Sequence, residues 1–342
     1  MHRCLQLAAL GRGNVSPNPM VGAVLVHEGR IIGEGFHQRI GGPHAEVNAI
    51  ASVAEQDKKY IPSSTLYVSL EPCNHFGKTP PCSDLILHSG IKKVVIGSLD
   101  PFEKVNGTGY MKLKAAGVDV MVGILEKEAK QLNARFFCNQ LHHRPYIILK
   151  WAQTSNGVIS ADKREPMKIS CELTNRMVHK WRSEEDAIAV GINTVISDDP
   201  QLNNRKWTGK SPVRVVFDPN GKMPAQSKVL QGNQKTIVFT HEEYESTEFV
   251  EYVQVGRNED WLSQVLSILF QKGIGSLLVE GGAITHQRFI DAGLWDEARV
   301  IVSEKEYLSK NNDCVYAPQL KSENLIAEAR IGTDVIRYYQ NK

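Results

Sequence analysis

His44, Glu46, Cys73 and Cys82 are the residues whose types and spacing point most directly to chemistry. One imidazole and two thiolates suit a borderline-soft ion such as Zn2+, and three protein ligands leave the fourth tetrahedral position open for water. A structural zinc site is closed by a fourth protein ligand, so the number of donors itself speaks for catalysis. An ion held this way lowers the pKa of its water to about 7. Glu46, two positions beyond His44, is a carboxylate able to take that proton and return it to a ring nitrogen and a leaving amine. Helix starts are expected at both Cys73 and Cys82, where the positive end of a helix dipole favours thiolate. His37, His75 and His88 are not needed as ligands and read as polar partners.

Positioning these groups takes a sheet with helices packed on it. Residues 21–26 and 30–35 alternate as a hairpin around Glu28-Gly29. Residues 45–54 have helical periodicity, 65–70 alternate as a strand, and 82–88 form a short helix entered through Pro81. Further strands fall at 93–97 and 118–122 around a helix at 109–115, and 126–142 predicts one long helix. His142-His143-Arg144-Pro145 then breaks the pattern, because the pre-proline position disfavours helix. A second α/β series follows, with strands at 146–151, 186–190, 213–217, 236–240, 276–279, 298–302 and 335–339. Its helices are placed at 172–183, 259–272 and 284–292. Two domains are expected, residues 1–143 and 144–342.

The composition sets limits on partners. A chain of 342 residues is long enough for two cores. A formal net charge of +2 offers no dominant basic face for nucleic acid. No apolar run approaches the roughly 20 residues of a membrane span. The first residues lack a long apolar core and a cleavage pattern, so a cytoplasmic location is expected. Six scattered cysteines do not form a disulfide framework.

The order His-x-Glu, Pro-Cys, Cys is similar to that of zinc nucleobase deaminases, in which two residues usually separate the cysteines. Here residues 74–81 intervene. With that loop, the chain resembles the bifunctional riboflavin-biosynthesis deaminase/reductase family. The matching motifs are Pro17-Asn18-Pro19-Met20-Val21-Gly22, Gly35-Phe36-His37, Pro43-His44-Ala45-Glu46-Val47-Asn48-Ala49 and the segment from Leu70-Glu71-Pro72-Cys73 to Cys82. Asp100-Pro101, Gly107-x-Gly109, Asp198-Asp199-Pro200 and Val279-Glu280-Gly281-Gly282 extend the match through both halves. The resemblance implies a cytidine-deaminase-like α/β/α sandwich followed by a dihydrofolate-reductase-like α/β domain. It implies Zn2+ and NADPH as cofactors, a small phosphorylated diaminopyrimidinone as substrate, and homo-oligomeric assembly. Asn18 and His37 would then hydrogen-bond the pyrimidine, with Lys78 and Asp100 lining the same pocket.

In the second half, no Gly-x-Gly-x-x-Gly follows the first strand. Gly281 and Gly282 between a strand and a helix suit either a phosphate seat or a plain tight turn. Lys150 lies in an apolar strand, where an unpaired ammonium is costly. It either pairs with Glu280 or snorkels at the strand end. By resemblance, Arg182, Leu202, Arg205, Lys150 and Glu280 would meet the substrate, the two arginines gripping its phosphate. Thr154, Lys168, Ser170, Thr194, Asp198, Gly281 and Gly282 would meet NADPH. Three positions depart from the family pattern: Asn156 replaces Asp, Val158 replaces a cation, and Lys168 replaces Trp. They motivate an alternative in which the C-terminal half is a catalytically silent binding module. A nucleic-acid base deaminase is disfavoured by the long inter-cysteine loop and the near-neutral charge.

Overall fold

Short apolar alternations broken by glycine turns give the first part of the chain its sheet. The computed structural model describes residues 1–76, 80–102, 105–160, 167–257, 260–307, 314–320 and 323–341. Contacts divide it into two units, Met1–His143 and Arg144–Lys342.

The first unit runs α1 (His2–Ala9), β1 (Gly22–His27), β2 (Arg30–Phe36), α2 (Ala45–Ala51), β3 (Thr65–Leu70), α3 (Cys82–His88), β4 (Lys93–Ser98), α4 (Thr108–Ala115), β5 (Asp119–Val122), α5 (Glu126–Leu132) and α6 (Ala134–His142). The sheet order is β2-β1-β3-β4-β5, with β1 antiparallel to both neighbours and β3, β4 and β5 parallel. Strand alternation feeds two cores. Ala23 and Leu25 of β1 pack with Ala45, Ala49 and Ile86, whereas Val24 packs with Cys4 and Leu7 of α1. Helices thus cover both faces, the α/β/α sandwich of cytidine deaminases. A Cβ at Gly35 would stand 2.4 Å from the Ala49 amide nitrogen. Only glycine lets α2 lie this close to β2, and that contact sets where His44 and Glu46 enter the site.

Two elements differ from expectation. The first residues form a helix, α1, whose buried side chains are Cys4, Leu7 and Ala8. The helix expected over 126–142 is two helices, interrupted at Asn133. The Asn133 side chain leaves the helical path to accept the Met20 N–H at 2.8 Å and donate to the Met20 carbonyl at 2.9 Å.

The second unit comprises β6 (Tyr146–Gln153), β7 (Val158–Ser160), α7 (Glu172–Glu184), β8 (Ala187–Gly191), α8 (Ile192–Asp198), β9 (Val213–Phe217), β10 (Thr236–Thr240), β11 (Val250–Gln254), α9 (Trp261–Gln271), β12 (Ser276–Val279), α10 (Ala283–Asp291), β13 (Glu297–Ser303), β14 (Val315–Tyr316), β15 (Glu323–Ile331) and β16 (Asp334–Asn341). Its described residues form a sheet in the order β11-β10-β9-β8-β12-β6-β13-β16-β15, parallel as far as β13 and antiparallel through β16 and β15. Ala187 and Ala189 face one core and Ile188 and Val190 the other, so β8 is buried on both sides. The unit has the α/β architecture of the family's reductase domain. Strands β8, β12 and β6 lie side by side, and open parallel sheets place their ligands at the carboxyl ends of such strands. The expected strands omitted β7, β11, β14 and β15, and the expected helices omitted α8. No described helix is long and apolar enough to cross a membrane.

Candidate active sites

Three of the four residues singled out first converge as donors. His44 is the N-cap of α2, and its side chain makes no capping bond, so the ring is left for the site. Its Nδ1 lies 3.6 Å from Cys73 Sγ and 3.3 Å from Cys82 Sγ. All three donor atoms lie within 4.8 Å of one another. A tetrahedral zinc with bonds of about 2.0–2.3 Å has ligand–ligand edges of about 3.3–3.8 Å. The donor set therefore fits Zn2+ in both chemistry and spacing. Cys82 opens α3, as expected. Cys73 does not begin a helix: it lies in extended chain beyond β3, so its thiolate is favoured by neighbours rather than by a dipole. The Cys82 thiol and His44 draw Cys73 down to about 4, and Cys82, which holds the shared proton, is pushed up. A proton shared between two sulfurs is what a divalent cation displaces.

Glu46 is buried in the first turn of α2. Burial, reinforced by the Cys73 charge, pushes it up to about 7, where a carboxyl both accepts and donates protons near neutrality. His37 and Asn18 are brought together, bonded first to one another. With the His37 proton on Nδ1, that nitrogen donates to the Pro43 carbonyl at 3.0 Å, and Nε2 accepts from Asn18 Nδ2 at 3.2 Å. Burial lowers the His37 pKa, which keeps the ring neutral for this arrangement. Asp100 lies beyond β4, and burial raises it to about 7. Lys78 lies outside the described residues.

Glu71, quoted above only as part of a motif, is an organiser of this unit. Its carboxylate accepts backbone N–H groups of Asp100 at 3.2 Å, Gly107 at 2.9 Å and Tyr110 at 3.1 Å. It therefore ties the Cys73 segment to the segment bearing Asp100. The sequence offered one signal, a carboxylate directly after an apolar strand.

At the carboxyl end of β12 in the second unit, Glu280 is buried between two cations. Arg182 of α7 donates Nε to Oε1 and Nη2 to Oε2, both at 2.8 Å, and Lys150 Nζ donates to Oε2 at 3.2 Å. Burial pushes Glu280 up, but Arg182 and Lys150 outweigh it and hold the carboxyl well below the ordinary range. Lys150 therefore pairs rather than snorkels. Arg182 Nη1 also donates to the Asn203 carbonyl at 3.0 Å, so all three guanidinium nitrogens are engaged within the protein. Of the two arginines expected at the phosphate, Arg182 orders the carboxylate within the protein, and Arg205 is exposed. Leu202 is the other residue expected at the substrate by resemblance. Its side chain packs in the core with Val190, Val195 and Val216, and its carbonyl accepts from Gln234.

Thr194 of α8 accepts the Gly282 N–H at 3.0 Å, so that amide is already paired within the protein. A Cβ at Gly281 would stand 2.5 Å from Val190 Cα and 2.6 Å from the Gly191 nitrogen. Gly281→Ala must therefore push the turn off β8, and it is expected to raise the KM for NADPH several-fold with deamination unchanged. An unaltered KM would remove the turn from the cofactor seat. Thr154 is buried in its own turn, where its hydroxyl donates to Asn156 Oδ1 at 2.6 Å. Asn156 Nδ2 donates to the Tyr307 carbonyl at 2.7 Å, a bond that an aspartate lacks the hydrogen to make. The departure at 156 thus has a structural use. Ser170 is half-buried just before α7, whereas Lys168 and Asp198 are exposed, and nothing in the structure explains Lys168 in place of Trp.

The two halves define a zinc-dependent deaminase joined to a reductase. The profile of the cytidine and deoxycytidylate deaminase zinc-binding region matches residues 1–98, and that of the RibD C-terminal domain matches 145–305. The riboflavin biosynthesis protein RibD of Aquifex aeolicus is 43% identical over 313 residues, covering 89% of this chain and 86% of that one. The Escherichia coli protein of the same name is 35% identical over 325 residues, covering 89% and 87%. A Thermotoga maritima crystal structure of a diaminohydroxyphosphoribosylaminopyrimidine deaminase/5-amino-6-(5-phosphoribosylamino)uracil reductase superposes with a TM-score of 0.89 at 37% identity, covering 100% of this chain and 97% of that one. The chain belongs to the RibD family of bifunctional riboflavin-biosynthesis enzymes.

Proposed function

We propose that residues 1–143 hydrolytically deaminate 2,5-diamino-6-(5-phosphoribosylamino)pyrimidin-4-one and that residues 144–342 reduce the ribose of the resulting aminouracil to ribityl. Each half keeps a clustered set of reactive groups that is at least partly buried: His44, Cys73 and Cys82 with Glu46 in one, and Lys150, Glu280 and Arg182 in the other. A silent C-terminal module has no need of two cations and a carboxylate buried at a strand end, at the cost such burial carries. The cofactors are Zn2+ and NADPH. The same reading takes the chain as a cytoplasmic homo-oligomer acting on small molecules, without nucleic-acid or membrane partners, and the +2 net charge supports it.

Zinc, held by His44, Cys73 and Cys82, would supply a water acidified to a pKa of about 7. Glu46 takes a proton from the attacking water and delivers it to the ring nitrogen, then passes a second to the departing ammonia. Asn18, His37, Lys78 and Asp100 would line the pyrimidine and phosphate pocket. NADPH, seated near Thr154, Lys168, Ser170, Thr194, Asp198, Gly281 and Gly282, would supply a hydride to the sugar C1′. The ring oxygen leaving C1′ then needs a proton, and Lys150, held against Glu280, would give it. Arg182 and Arg205, the latter exposed with its Nη1 bonded to Asn203 Oδ1 at 2.9 Å, would meet the phosphate and Leu202 would lie beside it.

The test supplies the diaminopyrimidinone phosphate and follows NADPH absorbance. Oxidation is expected with untreated protein, and a chelator should abolish it. In chelated protein, adding the aminouracil directly should restore it. Oxidation that chelation stops even with the aminouracil would overturn the division of labour.

A further inference from the structure

His286 has no part in the reading above, and it is fully buried on α10 beneath the reductase cluster. Both of its ring nitrogens meet main-chain carbonyls. Nδ1 is 3.0 Å from the Gly282 carbonyl, and Nε2 is 3.1 Å from both the Lys150 and the Val279 carbonyls. Those carbonyls belong to the glycine turn, to the cationic residue on β6, and to the residue just before Glu280. The paired register of β12 with β6 ends at Val279 and Leu149, so the imidazole sits just past the last pair. Trp151 lies against the ring at a centroid distance of 5.4 Å. Burial holds the imidazole down to about 4, so it is neutral, and with the proton on Nε2 it donates to both strand carbonyls at once.

We propose that His286 is a positioning residue for hydride transfer: its one ring N–H ties β6 at Lys150 to β12 beside Glu280, and so holds the Lys150–Glu280 pair in place. The proposal rests on the reductase reading of residues 144–342. Packing alone does not call for an imidazole here. The surrounding core is apolar, and a leucine would fill the space without burying polar atoms that need partners. A single N–H bridging two strands, carried on the helix that follows the glycine turn, instead limits relative movement of Lys150 and Glu280. Misplacement of reacting groups by about 1 Å costs on the order of a hundredfold in rate.

The experiment compares His286→Leu, His286→Asn and wild type as full-length zinc-loaded protein. It measures deamination, thermal unfolding, reductase kcat, the KM for NADPH, and the isotope effect with NADPH dideuterated at C4. His286→Leu should keep deamination and should lower reductase kcat by about ten- to a hundredfold. Its isotope effect should rise, because a poorly aligned hydride step becomes limiting. His286→Asn, which keeps an N–H donor, should recover part of kcat. Unchanged kcat and isotope effect in folded His286→Leu would overturn the proposal, as would losses in both variants that only track a lowered unfolding temperature. If His286→Leu does not fold, His286→Asn against wild type decides on the same two readouts. Wild type that deaminates but never oxidises NADPH would instead remove the reductase reading, and this proposal with it.

Discussion

Glu46→Gln should bind one zinc per chain as wild type does and lose deamination by a factor of about 10²–10⁴, the usual worth of a positioned general acid–base. The amide fills the same space in the first turn of α2, and the donor set of His44, Cys73 and Cys82 is untouched. What disappears is a group raised to about 7 that takes a proton from water and returns it to nitrogen. Metal content by elemental analysis and single-turnover deamination separate the two properties. Reduction of externally supplied aminouracil should be unchanged. Loss of zinc in this variant would make Glu46 part of the metal site and refute its assignment as proton carrier.

The second large effect is expected from Glu280→Gln. The carboxylate lies between Arg182 and Lys150, and removing its charge strands both cations out of water. Breaking a buried ion pair by deleting one partner costs about 3–5 kcal/mol. At about 2–4 °C per kcal/mol for a unit of this size, unfolding of the second unit should fall by on the order of 10 °C. NADPH oxidation should fall with it, while deamination persists. The pH dependence follows from the depressed carboxyl. A group held below its unfolded value of about 4.3 contributes its full stability above that pH and loses it as pH falls toward the folded value. The gap between wild type and Glu280→Gln should therefore be widest at neutrality and close progressively below about pH 4. Equal unfolding temperatures at pH 7 would mean that the cluster contributes nothing net.

The metal ligands could be read from the chain because their chemistry is carried by residue type, order and flanking prolines, all local properties. The strands at 213–217, 236–240 and 276–279 were equally plain, each a short apolar run buried on both faces. What stayed hidden depends on partners remote in sequence. Glu71 acts on backbone amides of residues 100, 107 and 110, and no side-chain pattern marks an amide donor. Arg182 has the type expected of a phosphate ligand, yet its fork also holds Glu280, just past the end of a strand about a hundred residues later. Leu202 shows the opposite case. Resemblance alone named it for the substrate, and its side chain packs in the core. Strand β15 escaped because its surface alternation is weak, with Leu325 and Ile326 both exposed across a bulge.

The interruption at Asn133 bears on how this enzyme can be divided. The deaminase profile ends at residue 98, which makes everything from there to His143 look dispensable for the first reaction. Yet the Asn133 amide grips both polar groups of the Met20 backbone, two residues beyond Asn18. A fragment trimmed at the profile boundary would keep every zinc ligand and lose the clamp on the segment that carries Asn18. The smallest autonomous deaminase is therefore set by a side chain in what looks like a trailing helix, and modular reuse of this half has to carry that helix along.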